Sequence, residues 1–238
     1  MKQNIKISFI IPIHNESKLL REKIEDLYSF CRENSIIPDI VLCENGSNDG
    51  SQKIIEELSF PGLQKVFIMQ RSFGLAYRYG IQKAENDIIY FTGIDFPFGY
   101  QNILECLKYI RKYDIVFASK AHQKSILKNS LKRRVISNIF RFLVRILLGL
   151  KTRDPQGCVM FRRKNIIKIL KNCDSKSVFF ATQIALYLEH FNYKTIEIPV
   201  RYLDVRLESK INIRRDCLDV FKAILRERSK ITEMRKKY

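Results

Sequence analysis

Short apolar runs rich in β-branched residues alternate along this chain with segments whose apolar positions return every three or four residues. That alternation is the pattern of βαβ units rather than of a sandwich or a helix bundle. Strands are expected at Ile5–Ile11, Asp39–Glu44, Gln64–Met69, Ile88–Thr92 and Asp114–Ser119, and helices at Ser17–Asn34, Ser51–Leu58, Gly74–Ala84 and Tyr100–Lys112. Asn15 or Ser17 would cap the first helix, and the second begins after the turn-rich Gly46-Ser-Asn-Asp-Gly50. The fold class that follows is α/β, with a mostly parallel central sheet flanked by helices.

The pattern changes after Lys120. Residues Ser130 to Leu150 read as one long helix, and stepping by roughly 100° per residue puts Arg134, Asn138, Arg141 and Arg145 on one face. Ile136, Ile139, Phe140, Leu143, Leu147 and Leu150 fall opposite. A basic face beside a broad apolar one suits an interfacial helix, and equally a surface helix packed on its own domain. An apolar helix at Val178–Phe191, a strand at Thr195–Val200 and a charged stretch from Arg201 to Lys210 follow. The chain divides into a domain at 1–210, which includes the amphipathic helix 130–150, and a basic C-terminal extension at 211–238. The tail from Arg226 to Tyr238 suits either a solvated helix end or a further contact with a membrane.

Composition adds one departure from an ordinary globular protein. Lys and Arg number 43 against 25 Asp and Glu, a formal net charge of +18 that predicts attraction to nucleic acid, anionic lipid or phosphate-bearing substrates. Six scattered cysteines, Cys31, Cys43, Cys106, Cys158, Cys173 and Cys217, form no CxxC pair, so reduced and mainly buried thiols in a cytoplasmic protein are expected. Met1-Lys-Gln-Asn4 runs straight into the first strand, so no signal peptide is expected, and Arg141 and Arg145 interrupt the most apolar stretch, Val135 to Leu150, so no spanning helix is expected either.

In open parallel sheets, ligands sit beyond the carboxyl ends of the strands. Three candidate elements end there: Ile13-His-Asn-Glu16, Glu44-Asn-Gly-Ser-Asn-Asp-Gly50, and Asp95 closing Ile88-Ile-Tyr-Phe-Thr-Gly-Ile-Asp95. The second offers a carboxylate and glycines that permit a tight turn with exposed N–H groups. The third delivers one carboxylate, suited to Mg²⁺ or Mn²⁺ shared with substrate phosphates or, more blandly, to a turn.

Pro12-Ile-His-Asn-Glu16, the Glu44–Gly50 turn, Gly74-Leu-Ala-Tyr-Arg-Tyr-Gly80 and Ile94-Asp95, in that order, resemble the GT-A-fold inverting glycosyltransferases of the dolichyl-phosphate mannosyltransferase-like branch. The resemblance continues through Ser119-Lys120, Asp154-Pro-Gln-Gly-Cys-Val-Met-Phe161, Glu197-Ile-Pro-Val200 and Glu208-Ser-Lys210. It implies a Rossmann-like domain in which Pro12, Glu16, Glu44, Gly46, Ser47 and Asp95 meet a nucleotide-sugar donor. Asp95 would be the catalytic carboxylate, holding the Mg²⁺ or Mn²⁺ that stabilises the leaving diphosphate. Arg134, Arg201, Arg206 and Lys210 are the candidate cations for the acceptor phosphate or the diphosphate.

The chain departs from the family pattern at Glu44-Asn45 and Gly93-Ile-Asp95, where paired aspartates and Asp-x-Asp are usual. It departs again at Gln183, where an acidic residue is common. A polyprenyl phosphate is already an anionic nucleophile and needs no general base, so Gln183 fits a lipid-phosphate acceptor. The expected protein is a transferase peripheral to the cytoplasmic face of a membrane, with donor, polyprenyl phosphate, membrane surface and a membrane protein as partners. A hydroxyl-directed glycosyltransferase and a non-catalytic nucleotide- or membrane-binding relative are the alternatives. Nucleic acid is not an expected partner, since no helix-turn-helix, zinc spacing or RNP-like signature is present.

Overall fold

The structure is a computed structural model that describes residues 4–128, 131–203 and 213–236. Nine strands and eight α-helices are found among these residues: β1 Ile5–Ile13, α1 Ser17–Glu33, β2 Ile36–Asn45, α2 Ser51–Glu57, β3 Leu63–Ile68, α3 Phe73–Lys83, β4 Ile88–Phe91, α4 Gln101–Ile110, β5 Ile115–Ser119, β6 Ile126–Lys128, α5 Leu131–Leu148, β7 Cys158–Arg162, α6 Arg163–Ile169, α7 Phe179–His190, β8 Thr195–Pro199, β9 Arg201–Leu203 and α8 Ile213–Lys236. Seven strands make one sheet in the order β3-β2-β1-β4-β7-β5-β8. All run parallel except β7, which is antiparallel to both β4 and β5.

Alternation along the strands divides the core between two faces. Ile10, Val41, Ile89, Phe91, Phe117 and Phe161 point to one side, where α3, α6 and α7 pack. Phe9, Ile11, Leu42, Tyr90, Val116 and Met160 point to the other, against α1, α2 and α4. Burial on both faces explains why the strands read as continuous apolar runs. The α1 stripe of Leu20, Ile24, Leu27, Phe30 and Cys31 shows the matching helical period.

Several expectations are corrected. The second strand starts at Ile36, before Pro38; β3 pairs only from Ile40 onward, so this stretch has an open edge on which a proline is tolerated. Neither Asn15 nor Ser17 caps α1. Glu16 is its boundary residue, without a side-chain cap, and the N–H of Ser17 instead donates to Asp49 of the neighbouring turn at 3.0 Å. Strand β7 was not expected, and β6 and β9, three residues each, are too short to show a period.

The long basic helix exists, but its faces are divided differently. Phe140, Leu143 and Leu147 pack against the core with buried Val144, Leu148 and Leu150, whereas Ile139 faces outward with Val135, Phe142 and Ile146. Residues 213–236 form the helix α8, which packs on α5 and buries Ile224, Glu227 and Ile231. Cys31, Cys43, Cys106, Cys158 and Cys173 are buried free thiols.

Gly80 lets α3 lie close to the sheet, because a Cβ there would overlap the side chain of Ile10 and sit 3.0 Å from Cys43 Sγ. Gly80→Val is expected to lower stability by about 1–3 kcal/mol through overpacking. A urea midpoint equal to that of the native chain would show that α3 is not so tightly seated.

Candidate functional site at the carboxyl edge of the sheet

Strand order reverses between β1 and β4, since β2 and β3 extend to one side of β1 and the later strands to the other. This switch point is where an open α/β sheet forms its ligand crevice. The turns after β1, β2 and β4 meet there, and the first two are bonded to each other. Asn15 N donates to Ser47 Oγ at 3.0 Å, Glu16 N to Ser51 Oγ at 2.8 Å, and Asn48 N to Asn15 Oδ1 at 2.8 Å.

Glu44 is almost fully buried and accepts from the N–H groups of Ser47 at 2.6 Å and Gly46 at 3.3 Å, so its carboxylate shapes the turn. Gly46, at φ +71°, packs against the backbone of Gln70 and Arg71, where a side chain has no room. Asn45 donates to Ile13 O at 2.7 Å and accepts from Ser72 N at 3.2 Å. An ionised aspartate accepts only. The departure from paired aspartates therefore supplies the donor that ties β2 to the end of β1.

Sequence reasoning singled out neither Asp49 nor Ser51. Desolvation raises the Asp49 pKa, but hydrogen bonds from the hydroxyl and N–H of Ser51 and from Ser17 outweigh it and hold the carboxyl well below the ordinary carboxylate range. The local signal was Asp49 beside Ser51 just before a helix.

Asp95 lies in the turn after β4, and a Cβ on Gly93 would come 2.5 Å from Asp95 Oδ1. Any side chain at 93 would thus displace the carboxylate from its present place. Burial pushes the Cys158 thiol up to about 11; Asp95 adds to that rise and Lys120 opposes it, so both charges are within electrostatic reach of one buried sulfur. Lys120 Nζ stands over the rings of Phe98 and Tyr202, at 5.9 and 5.7 Å from their centroids, and 3.9 Å from Asp154 Oδ2. Since Phe98 belongs to the same segment after β4 as Asp95, Lys120 connects the carboxyl edge with what lies beyond.

Beyond it is a cleft of about 730 Å³, walled by Lys120, Leu127, Arg141, Phe142, Arg145 and Arg153 among others. The four cations come from the end of β5, from α5 and from the segment before β7. Of the cations chosen from sequence, Arg201 is exposed on β9 and does not line this cleft, while the Arg134 side chain, Arg206 and Lys210 lie outside the described residues. Arg141 and Arg145 were visible as a helix face, but no local pattern marked Arg153 and Lys120 as joining them.

Gln183 is buried away from solvent and fully engaged. Its Oε1 accepts from Ser175 N at 2.8 Å, and its Nε2 donates to Asp174 at 2.9 Å and to Glu227 of α8 at 2.7 Å. Tyr187 OH donates to the other Glu227 oxygen. The residue at the acidic position of the resemblance thus serves to dock α8. A metal fits less richly than in a carboxylate cage. Among the described residues no three His, Cys, Asp or Glu side chains form a metal-holding group. One carboxylate completed by substrate phosphates and water is nevertheless an accepted Mg²⁺ or Mn²⁺ arrangement.

The fold and the crevice define a GT-A-like α/β domain. The chain belongs to glycosyl transferase family 2, whose family model matches residues 8–170. It is 26% identical over 204 residues to an undecaprenyl-phosphate 4-deoxy-4-formamido-L-arabinose transferase of Pectobacterium atrosepticum, covering 83% of this chain and 60% of the relative, so it spans about three fifths of that protein's length. Among solved structures it resembles mannosyl-3-phosphoglycerate synthase from Rubrobacter xylanophilus, with TM-score 0.66, 13% identity, and coverage of 96% of this chain and 75% of that one. It also resembles glucosyl-3-phosphoglycerate synthase from Mycobacterium tuberculosis in complex with Mn²⁺, UDP-glucose and phosphoglyceric acid, with TM-score 0.66, 14% identity, and coverage of 95% and 80%.

Because the folded-state pKa of Asp49 is depressed, its stabilising contribution is complete above the unfolded value and is lost as pH falls through the folded one. Asp49→Asn should therefore be less stable than the native chain at neutral pH, and the gap should narrow below about pH 4. A gap that stays constant between pH 7 and pH 2 in thermal unfolding would contradict the assignment.

Proposed function

We propose that this chain transfers a sugar, with inversion, from a nucleotide-sugar donor to a polyprenyl phosphate while resting on the cytoplasmic face of a membrane. The observation that carries the reading is the cleft of about 730 Å³ in which four cations stand beside Leu127, Phe142 and Ile146. Cations suit a phosphate, and the apolar rim suits the first isoprene units behind it. The family supports glycosyl transfer, the similar arabinose transferase is named for undecaprenyl phosphate, and the structurally similar glucosyl-3-phosphoglycerate synthase was solved with UDP-glucose and Mn²⁺.

In this reading the nucleotide lies over Pro12, Glu16 and the Glu44-Asn-Gly-Ser47 turn, and its diphosphate points toward Asp95. A divalent cation, Mg²⁺ or Mn²⁺, held by Asp95 would supply charge neutralisation for the departing diphosphate. Arg141, Arg145, Arg153 and Lys120 bind the acceptor phosphate and orient one oxygen toward the anomeric carbon. That oxygen forms the new C–O bond as the bond to the nucleoside diphosphate breaks on the opposite side. No proton has to be removed, which agrees with a Gln183 whose polar atoms are all occupied elsewhere.

The membrane contact falls to α5 and α8. Val135, Ile139, Phe142 and Ile146 form an exposed stripe at helical spacing, and Phe221 and Leu225 are exposed on α8. Among the described residues no helix is long and apolar enough to cross a membrane. An interfacial helix with arginines at the phosphate level is the arrangement such a surface suits, and the net charge of +18 favours an anionic leaflet. A membrane-protein partner is compatible with the same face. The single carboxylate beside Gly93 favours a second reading, a non-catalytic relative that binds donor or membrane.

Labelled nucleotide sugars offered to polyprenyl phosphate in anionic liposomes with Mn²⁺ or Mg²⁺ separate the two readings. Transfer into the lipid fraction is expected, falling by about 10²–10³ with Asp95→Ala. Folded protein that transfers from no donor would support the non-catalytic relative, and transfer only to hydroxyl acceptors would redirect the acceptor assignment. Phe142→Glu with Ile146→Glu should also release the protein from anionic vesicles, seen as loss of co-sedimentation.

A further inference from the structure

The segment that brings Arg153 to the cleft has no regular structure of its own, yet its backbone is tightly held. Four consecutive N–H groups donate to two carboxylates. Lys151 N and Thr152 N reach Glu189 at 2.7 Å each, joined by Thr152 Oγ1 at 2.5 Å. Arg153 N and Asp154 N both reach Glu197 Oε1 at 3.1 Å. Glu189 stands near the end of α7 and Glu197 on β8, where it lies opposite Phe117 of β5 in the sheet register.

Asp154 then passes the restraint on. Its buried carboxylate accepts from Lys120 N at 2.8 Å and lies 3.9 Å from Lys120 Nζ, while its carbonyl accepts from Gly157 N at 3.3 Å. Gly157 in turn lies so close to Ala118 O that no side chain would fit. Two of the four cleft cations, Arg153 and Lys120, thus stand on backbone fixed by Glu189, Glu197 and Asp154. A charge-assisted bond to a backbone N–H is among the stronger restraints available to a loop.

We propose that Glu189 and Glu197 are positioning residues for the cationic cleft, setting Arg153 and Lys120 where an anionic acceptor phosphate meets them. The proposal rests on the cleft being the acceptor site. Its physical content differs from simple electrostatics. Removing a negative charge next to a cationic cleft should tighten the binding of a phosphate if charge alone mattered. If the carboxylate positions the loop, removing it loosens binding, and an uncharged acceptor of the same shape retains it.

The test measures binding of a short polyprenyl monophosphate, such as farnesyl phosphate in detergent micelles, to the native chain, Glu197→Ala and Glu197→Gln. The acceptor and donor KM in sugar transfer are measured alongside. Glu197→Ala should weaken phosphate binding and raise the acceptor KM by about tenfold or more, the scale of a lost hydrogen bond to a charged group, with the donor KM unchanged. Glu197→Gln, which keeps an oxygen for both N–H groups, should stay within about twofold of native.

If the native chain binds the probe and Glu197→Ala binds it as well or better, the positioning role is overturned and the acceptor site stands. A native chain that ignores the probe overturns both. Amide exchange on the native chain needs no variant: slow exchange at residues 151 to 154 is expected, and exchange at the rate of an open loop would overturn the proposal.

Discussion

The site depends on the way the turns after β1 and β2 are bonded to each other. Strands alone would leave two loops free to splay at the carboxyl edge. Here the side chains of Asn15, Asn45, Ser47, Asp49 and Ser51 are spent on backbone groups of the opposite or adjoining turn. Each such bond is worth only about 1 kcal/mol net, but together they fix one arrangement of N–H groups and carboxylates before any ligand arrives. Preorganisation of this kind makes an edge useful for recognising a diphosphate.

The same economy runs through the rest of the molecule. Glu44, Asp49, Glu189, Glu197 and Glu227 are all employed in holding backbone or side chains in place. Basic residues, by contrast, collect around the cleft. Gln183 belongs to the same scheme: a carboxylate there would face Glu227 and Asp174, whereas the amide donates to both.

Much of the fold was legible because buried parallel strands and amphipathic helices leave strong local periods, as in Ile7–Ile13 and the α1 stripe. What escaped detection depends on contacts between distant parts of the chain. Strand β7 is a five-residue run whose antiparallel placement between β4 and β5 is set by sheet order. The outward turn of Ile139 reflects the packing of α5 against its own domain and α8, which no helical projection can fix. At the crevice the motifs marked turns that meet at the carboxyl edge, but the cleft lined by Lys120, Arg141, Arg145 and Arg153 was not legible, because any basic chain offers many arginines and only the fold gathers these four.

The central claim is that the cleft beside α5 receives a lipid phosphate. The most direct measurement is photocrosslinking with a polyprenyl phosphate that carries the reactive group on its first isoprene unit, followed by peptide mapping. The account predicts labelling of residues 137–146 and 120–127, suppressed by unlabelled polyprenyl phosphate and by replacing Arg141 and Arg145. Labelling confined to other peptides, or labelling at the cleft that excess polyprenyl phosphate leaves unchanged, would contradict it.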